Sequence, residues 1–334
     1  MCTMVLKLRN LYKWEHALQP WEEAEAGELL DWIDDKERYW QSLLSREYQN
    51  IEVNGQSCDP DDLATINTLL APQKLVYGAG YGRSMKAVFF LARQNDSREV
   101  AGCPVLILGE PLAREMASPL AMVQDGVIFI NREELRYFLW DQIQELRSSC
   151  RSAFMHLLRT YDLLNGSGLD QEKLKKRLEL LVDDQMNLLI YHEVGEIKQT
   201  TLDHLSFQKV IAAFPSSVIE LLCRSLKDVL ADTHPEGLLA YTIREKQEAS
   251  LALYVGLLDG MRKHLFPEIF GAWEDFVQNG NWHGIELARD ACRQKNLVYA
   301  RKIRDLMQSM DDLPKELIEQ RIHQEVLTPL GLAS

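Results

Sequence analysis

The period of the apolar residues changes near Asn131, and this change constrains the fold more than any other feature of the sequence. Between residues 74 and 131 the chain contains the short apolar runs "KLVYGAG", "SMKAVFFLAR", "CPVLILGE" and "DGVIFIN". Runs that are rich in Val, Ile and Phe and end at Gly, Pro or Asp are typical of β-strands. No helix-length segment separates most of them, which predicts hairpin-like connections and a mixed or antiparallel sheet.

After Asn131 the apolar residues recur with the period of an α-helix as far as the end of the chain. We therefore predict an α+β protein with an N-terminal helix, a small mixed or antiparallel sheet over about residues 74–131, and a mostly α-helical C-terminal half. The same change divides the chain into an N-terminal subdomain of residues 1–131 and a helical subdomain of residues 132–334.

Start and stop signals give the predicted helices. The acidic, aromatic-rich segment after Pro20 predicts a helix that docks on the body of the protein, with the binding of a partner as the alternative. Asn131 is a candidate N-cap for a long helix that "NGSG" ends, and Asp170 begins the next one. Another long helix is predicted from Pro235 to at least His264.

Charge and composition exclude several classes of function. The 334 residues carry a formal charge of −13, and an acidic surface repels the phosphates of nucleic acids and anionic membranes. No apolar run approaches the ~18 residues that a membrane-spanning helix needs. The apolar core of the N-terminal "MCTMVLKLRN" is too short for a secretion signal. The six cysteines stand singly, which excludes a zinc ribbon or a dithiol motif. We therefore expect a cytoplasmic protein that contacts neither nucleic acid nor membrane.

The stretch "LLIYHEVGE", residues 188–196, carries the candidate site. Leucines spaced by three, four or seven residues form one stripe along the predicted helix, and Gln185, His192 and Glu196 continue that stripe. His192 and Glu196 lie one turn apart, so the helix stacks them and both can bind one ion. A buried charge needs a partner, and a metal ion is a suitable one.

These nine residues resemble the H-E-x-x-H helix of zincin-type metallopeptidases. The apolar "LLIY", the "HE" pair and the small Gly195 follow that pattern, and a mixed sheet followed by such a helix is the zincin order of elements. The resemblance implies that His192 binds the metal and that Glu193 is the general base. Glu196 stands where the second histidine belongs, and carboxylate ligands suit zinc as well as manganese or iron. The resemblance thus implies an H-E-x-x-E site for a divalent metal ion.

The resemblance also suggests where further ligands lie. In gluzincin-like enzymes a glutamate on a later helix completes the site, and the long helix predicted after Pro235 offers Glu248 on an inward face, with Glu245 as the alternate. His204, in the connecting segment after the motif, is a second candidate. We rank Glu248 and His204 above His264.

Two other interpretations of the motif are open. "HEVGE" is compatible with a helix C-terminus that has Gly195 at or near C′. Glu193 and Glu196 then face water, and His192 is hydrogen-bonded in the core. The alternative of a ferritin-like di-metal bundle needs Glu-x-x-His on two helices, and none of the eight histidines has a glutamate three residues before it.

The leading hypothesis for the function is a metal-dependent hydrolase, peptidase-like or degenerate, that acts on a small-molecule or peptide substrate. The alternative is a non-catalytic cytoplasmic interaction or scaffold protein without a metal site. An ion site predicts three or four donor atoms within ~2.0–2.3 Å of one point. A scaffold protein predicts that His192 bonds one partner and has no cavity beside it.

Overall fold

The N-terminal part of the chain contains three helices and a short hairpin. The computed structural model describes residues 3–81, 87–116, 118–146, 151–166, 168–202 and 204–332. The first elements are α1 (Thr3–Glu15), α2 (Ala26–Leu43), β1 (Ile51–Val53), β2 (Gln56–Cys58) and α3 (Leu63–Leu70), with a 3₁₀ turn at Ala71–Gln73. Strands β1 and β2 pair in an antiparallel hairpin, which packs with α3 and the first strand of the main sheet.

Five of the described strands form a mixed sheet. They are β3 (Leu75–Tyr81), β4 (Ala87–Val100), β5 (Cys103–Arg114), β6 (Ala121–Gln124) and β7 (Val127–Asn131). The order in the sheet is β3-β4-β5-β7-β6, and the neighbours are antiparallel except for β5 and β7. Asp125 and Gly126, which link β6 to β7, both have positive φ, as a type I′ hairpin turn requires. The prediction of a small mixed sheet is confirmed.

The second half of the chain is helical, which confirms the α+β class. The elements after the sheet are α4 (Arg132–Gln144), α5 (Arg151–Thr160), the short hairpin of β8 (Leu164–Asn165) and β9 (Gly168–Leu169), α6 (Gln171–Lys198), α7 (His204–Ala213), α8 (Val218–Asp232), α9 (Leu238–Arg244), α10 (Glu248–Leu257), α11 (Gly260–Leu265), α12 (Glu268–Asn279), α13 (Trp282–Gln308) and α14 (Lys315–Ile322). A 3₁₀ turn at Ser309–Asp311 precedes α14, and a π-helical turn at His323–Leu327 follows it. None of the helices in the described ranges combines the length and the apolar character that crossing a membrane requires.

Helix α6 is central to the core. Its N-cap is Asp170, whose carboxylate accepts a hydrogen bond from the backbone N–H of Lys173 at 3.0 Å. The helix packs against α4, α8, α9 and α10 and also against β6 and β7. The largest hydrophobic cluster joins residues of β5 and β7 to those of the helices. Sheet and helices therefore share one core, and α6 holds its polar residues inside it.

The long helix predicted after Pro235 is replaced by the three helices α9, α10 and α11. Helix α9 ends where Lys246 takes a φ of +54° and the N–H of Gln247 donates to the carbonyl of Thr242 at 3.0 Å, a Schellman arrangement. Helix α10 ends before Asp259, and α11 starts at Gly260. The segment after Asn131 likewise forms two helices, α4 and α5, with residues 147–150 outside the described ranges.

The second helix, α2, is exposed and does not dock as predicted. It begins at Ala26 rather than after Pro20, and none of its residues is buried. Its contacts with α1 are polar and aromatic: Glu15 accepts hydrogen bonds from the indole of Trp32 at 2.9 Å and from Lys36 at 2.5 Å, and the ring of Trp32 meets that of Tyr12 edge-on at 5.4 Å. Tyr39 remains 58% exposed. Of the aromatic residues of α2, Trp32 therefore packs on α1, whereas Tyr39 does not cover the body of the protein.

Candidate functional site

Helices α6 and α8 approach closely at the motif "HEVGE". Gly195 permits this approach, because a Cβ atom at that position would lie 2.1 Å from the carbonyl oxygen of Ala231. Helix α6 continues through Gly195 to Lys198, so the interpretation of Gly195 as a C′ residue is wrong. The close contact sets the charged side chains of the motif against those of α8.

His192 forms a hydrogen-bonded pair with Asp232, the last residue of α8. The imidazole donates from Nδ1 to Oδ1 of Asp232 at 2.7 Å; the carboxylate is 2% exposed and the ring 24%. This bond orients the ring and leaves Nε2 free for another partner. Burial opposes charge on the ring, but the carboxylates of Asp232 and Glu193 outweigh it and raise the pKa of His192 to about 9. The ring is therefore an imidazolium at neutral pH.

The two glutamates of the motif lie near Lys227 of α8. Glu196 accepts a hydrogen bond from Nζ of Lys227 in an ion pair. Glu193 is buried, and its Oε2 has no hydrogen-bond partner among the described residues. Burial raises the pKa of Glu193, although the charges of His192 and Lys227 act against that rise. Burial also lowers the pKa of Lys227. The contact between the helices thus contains ionisable groups that are held away from water.

His192, Glu193 and Glu196 offer a donor set for a metal ion. In the described part of the chain this is the group whose donor atoms come close enough, all within 4.8 Å of one another. One imidazole and two carboxylates suit zinc, manganese or iron. Zinc bonds of ~2.1 Å in tetrahedral geometry place donors ~3.5 Å apart. The side chains therefore fit an ion if they close slightly and if Lys227 releases Glu196.

Glu248 and its alternate Glu245 are not part of this group. Glu248 begins α10 and bonds His156 of α5, with an Oε1 to Nε2 distance of 2.5 Å, and its side chain is 48% exposed. Glu245, the alternate, pairs with its neighbour Arg244 at 2.8 Å. His204 begins α7, and its side chain lies outside the described residues. The structure therefore brings together three of the five predicted site residues.

A cavity of about 410 Å³ lies beside His192. The elements around it are α4, α6, the end of α8, the start of α9, α10 and α11. Eight of its lining residues are leucines and one is a phenylalanine. The remaining residues, apart from one glycine, carry polar side chains. The lining residues are Leu120, Leu135, Phe138, Gln142, Gln185, Leu188, Leu189, His192, Asp232, Leu238, Leu253, Tyr254, Gly256, Leu257, Leu258, Asp259, Arg262 and Lys263.

Three buried polar atoms on residues of this lining have no hydrogen-bond partner among the described residues. They are Oε1 of Gln185, Oδ2 of Asp232 and the hydroxyl of Tyr254. Burial is the main cause that raises the pKa of the Tyr254 hydroxyl well above its usual value. The neighbouring carboxylate of Asp232 contributes to the same rise. The two groups nevertheless do not meet in hydrogen-bond geometry. Unpaired buried polar groups are rare in proteins, which sets these three lining residues apart.

The orientation of the Gln185 amide is fixed by its neighbours. The hydroxyl of Tyr161 donates to Asp184 at 2.9 Å, so it can only accept from the Gln185 side chain. Nε2 of Gln185 makes that donation at 2.9 Å. The amide oxygen of Gln185 is therefore left as an acceptor without a partner among the described residues.

Two further cations lie on the cavity wall. Arg262 donates to the carbonyl of Leu257 at 3.0 Å and lies 3.5 Å from the carboxylate of Asp259. Burial works against its charge, but Asp232 and other neighbouring acids outweigh burial, and the pKa of Arg262 is raised. Lys263 forms no ion pair with any residue in the described ranges. Together with the imidazolium of His192, these side chains give the cavity three cations.

Sequence reasoning missed Asp232, Tyr254 and Arg262 as site residues. For Asp232 the sequence did contain a signal, because Asp228 and Asp232 lie one turn apart in "DVLAD" with apolar residues between them. In the structure Asp232 is almost fully buried. Tyr254 and Arg262 carry no such signal. They reach the cavity only because the chain turns between α10 and α11.

Comparison with known proteins finds a family but no characterised relative. The model of the C-terminal domain of a family of unknown function (DUF6866) matches residues 136–325, and the N-terminal domain model of that family matches residues 1–131. No curated protein and no solved structure matches the chain.

Proposed function

Because this chain belongs to the DUF6866 family, whose function is unknown, we propose its function from the site alone: the protein binds a small organic molecule in the cavity beside His192. One observation carries this proposal, namely that the wall of a mostly leucine-lined cavity includes Gln185, Asp232 and Tyr254, each of which has a buried polar atom without a hydrogen-bond partner among the described residues. An atom of this kind costs ~1–3 kcal/mol while it stays unpaired. A ligand that supplies partners removes that cost.

The size and chemistry of the cavity agree with this role. Its volume of about 410 Å³ lies within the range of ~300–1,000 Å³ that is usual for small-molecule sites. The walls are mostly apolar, and a few polar side chains among them can orient a ligand. His192 contributes a positive charge and an N–H donor at Nε2, because Asp232 occupies Nδ1. In a reaction this imidazolium would act as a general acid rather than as a base.

Filling the cavity tests the proposal. Leu189 lies on α6 and lines the cavity, so we expect Leu189→Trp to occupy part of it. Leu180 lies on the same helix but is 53% exposed, so Leu180→Trp is the matched control. We expect anilinonaphthalene sulfonate, an apolar anionic dye, to fluoresce with the parent and the control but weakly with Leu189→Trp. Equal dye binding by all three folded proteins would show that the cavity is not a binding site.

A second candidate function is the metal-dependent hydrolase, because His192, Glu193 and Glu196 place donor atoms within 4.8 Å of one another. A divalent ion there would supply Lewis acidity to a substrate or a water molecule. Asp232 would orient His192, as carboxylates do for metal-binding histidines. Glu193, whose pKa is raised by burial, would be the proton acceptor. The adjoining cavity would hold the substrate.

Metal analysis tests this second candidate. We expect purified protein, dialysed against zinc or manganese, to retain about one ion per chain, and Glu196→Gln to lose it. Glu172→Gln is the control, since Glu172 lies on the same helix and pairs only with Lys175 at the surface. Equal metal content in all three proteins would exclude the site. Retention of metal without metal-dependent cleavage of ester or peptide substrates would exclude the hydrolase but leave the metal site.

The scaffold function is the third candidate, and it applies if neither a small molecule nor an ion binds.

We also propose that the protein is cytoplasmic and binds no nucleic acid. The free, buried cysteines at positions 58, 103, 223 and 292 support a cytoplasmic location. The charge of −13 supports the absence of nucleic-acid binding. Cys2 and Cys150 lie outside the described residues. Cell fractionation and a gel-shift assay with mixed RNA and DNA fragments test these two statements.

A further inference from the structure

Helix α2 carries a broad apolar face that is not buried. Most of its apolar residues, together with the residue that follows the helix, recur at steps of three, four or seven, which places them on one side. We call them the α2 stripe; its residues are Leu29, Leu30, Ile33, Trp40, Leu43 and Leu44. No residue of α2 is buried, and Leu30 and Leu44 are 63% and 85% exposed.

The stripe takes no part in the hydrophobic core. In the described ranges, the three clusters of buried hydrophobic residues include no residue of α2, and no side chain of α2 packs against them. The hydrogen bonds and the ring contact between α2 and α1 involve Trp32 and Lys36, which lie to one side of the stripe. A contiguous apolar surface that the chain itself leaves exposed marks a contact with another molecule.

Acidic side chains lie along both edges of the stripe. On one edge, Asp34 and Glu37 follow Leu30 by four and seven residues. On the other edge, Glu28 precedes Trp32 by one turn. Charges that flank an apolar helix face select the partner that packs on it, so these acids favour a partner with basic flanks.

The cations of α2 do not compensate these acids. Lys36 pairs with Glu15 of α1, and Arg38 pairs with Asp35. The exposed acids of α2 that have no ion pair among the described residues are Glu28, Asp31, Asp34 and Glu37. A helix with lysines or arginines beside its own apolar face would match both the stripe and these acids.

The same acids argue against the two other occupants that suit an apolar helix face. A second copy of α2 would set one acidic edge against another, where like charges repel. An anionic lipid surface would be repelled for the same reason. The charge of α2 therefore favours a basic helix from a different protein.

We propose that α2 binds a basic amphipathic helix of another protein, with the α2 stripe against its apolar face and Glu28, Asp34 and Glu37 against its lysines or arginines. This interaction is separate from the cavity and from the candidate metal site, because neither includes a residue of α2.

A model peptide tests this surface. The probe is a leucine–lysine peptide of the same length as α2 with its leucines on one helical face, and its control has the same composition with the leucines scattered around the helix. By calorimetry at physiological ionic strength, we expect the protein to bind the amphipathic peptide about tenfold more tightly than the scattered one. Equal affinity for both would mean that charge alone attracts them, and that result, or binding of neither, would overturn the proposal.

A substitution in the stripe locates the apolar contact. Ile33→Asp adds negative charge, so a loss of affinity for the basic peptide reports the apolar contact rather than the charge. We expect this variant to bind the amphipathic peptide about tenfold more weakly than the parent. Leu180→Asp, at a position of α6 that is 53% exposed, is the matched control and should bind like the parent. Parent-like binding by Ile33→Asp would place the peptide elsewhere.

Removal of the acids tests the charge. We expect the double variant Asp34→Asn, Glu37→Gln to bind the amphipathic peptide several-fold more weakly and with a smaller dependence on salt. The control is Glu274→Gln, Glu316→Gln, which removes two exposed acids of α12 and α14. An equal effect in both double variants would show that the peptide responds to the net charge of the protein and not to α2.

Two measurements on the free protein distinguish the other occupants. If sedimentation shows the parent to be a dimer and Ile33→Asp a monomer, the stripe is an interface between copies of this chain. If the parent binds vesicles of phosphatidylcholine and Ile33→Asp does not, the stripe meets a lipid surface. Either result would overturn the proposal, and a monomeric parent that does not bind the vesicles is the expected outcome.

Discussion

His192 donates a hydrogen bond from Nδ1 to Oδ1 of Asp232 at 2.7 Å, across the contact between α6 and α8. The bond links the sequence motif to a helix that sequence reasoning did not connect with it. It also explains why one histidine can serve two sites, because the ring is anchored through Nδ1 while Nε2 remains free. The cavity and the candidate metal site therefore share His192, and the electrostatics of this pair affect both.

Replacing Asp232 should lower the pKa of His192. In metal-free protein we expect the pKa of His192 to be about 9 and to fall toward or below its ordinary value in Asp232→Asn, because burial then acts without the opposing charge of that carboxylate. NMR titration of the ring protons measures this. His283, whose side chain is 73% exposed, supplies the internal reference signal. A pKa of His192 that is unchanged by the substitution would contradict the pairing.

The same pair should make stability depend on pH. The pKa of His192 is about 9 in the folded protein and close to 6.5 in the unfolded chain, so its contribution is complete below about pH 6.5 and is lost as the pH rises through 9. The loss is at most ~3 kcal/mol. Urea unfolding of metal-free protein at a series of pH values measures it. In Asp232→Asn this fall in the free energy of unfolding should be largely absent.

The close approach at Gly195 should make the position intolerant of a side chain. A Cβ atom would lie 2.1 Å from the carbonyl oxygen of Ala231, and we expect Gly195→Ala to cost ~1–3 kcal/mol because α6 and α8 must separate. Gly271 is an exposed residue of α12, and a Cβ atom there meets nothing within 4 Å. Gly271→Ala should therefore stabilise the protein by ~0.5–1 kcal/mol. Opposite signs for the two substitutions in urea unfolding are the expected result.

Lys227 should compete with any metal ion at the motif. Its ammonium pairs with Glu196, so Lys227→Met should free that carboxylate and leave the buried Glu193 with one of its two neighbouring cations, His192. We expect the variant to be less stable than the parent without metal and to bind zinc or manganese several-fold more tightly. Melting temperature as a function of metal concentration measures both effects. An absence of any metal response in parent and variant would reject the metal site; Lys176→Met controls for the loss of a lysine.

The broad organisation of the fold could be predicted from the sequence because it depends on local periodicity. Strand-like runs and helical stripes are patterns of neighbouring residues, and Asp170 marks the start of its helix by a side-chain capping hydrogen bond. Asn131 is the residue before α4, as predicted, but its side chain makes no capping hydrogen bond. The stripe of α6 likewise predicted that Gln185 and His192 face inward, and both line the cavity.

What the sequence did not reveal depends on contacts between distant elements. Asp232 is 40 residues from His192, and their bond follows from the packing of α8 on α6. Glu248 was ranked as a ligand on the assumption that one helix runs through residues 235–264, but the chain turns at Lys246 and places Glu248 at the start of α10, bonded to His156. That turn lacks the glycine that usually marks a Schellman end.

The turn at Lys246 supplies the last prediction. A φ of +54° is unfavourable for lysine and natural for glycine, so Lys246→Gly should stabilise the protein by up to ~1 kcal/mol. Loss of the contact between its ammonium and the ring of Trp282, at 5.0 Å, should reduce that gain by ~0.5 kcal/mol. Lys176→Gly, within α6, should instead cost ~1 kcal/mol. Urea unfolding distinguishes the two, and a loss of stability in Lys246→Gly as large as in Lys176→Gly would mean that the helix continues through this residue.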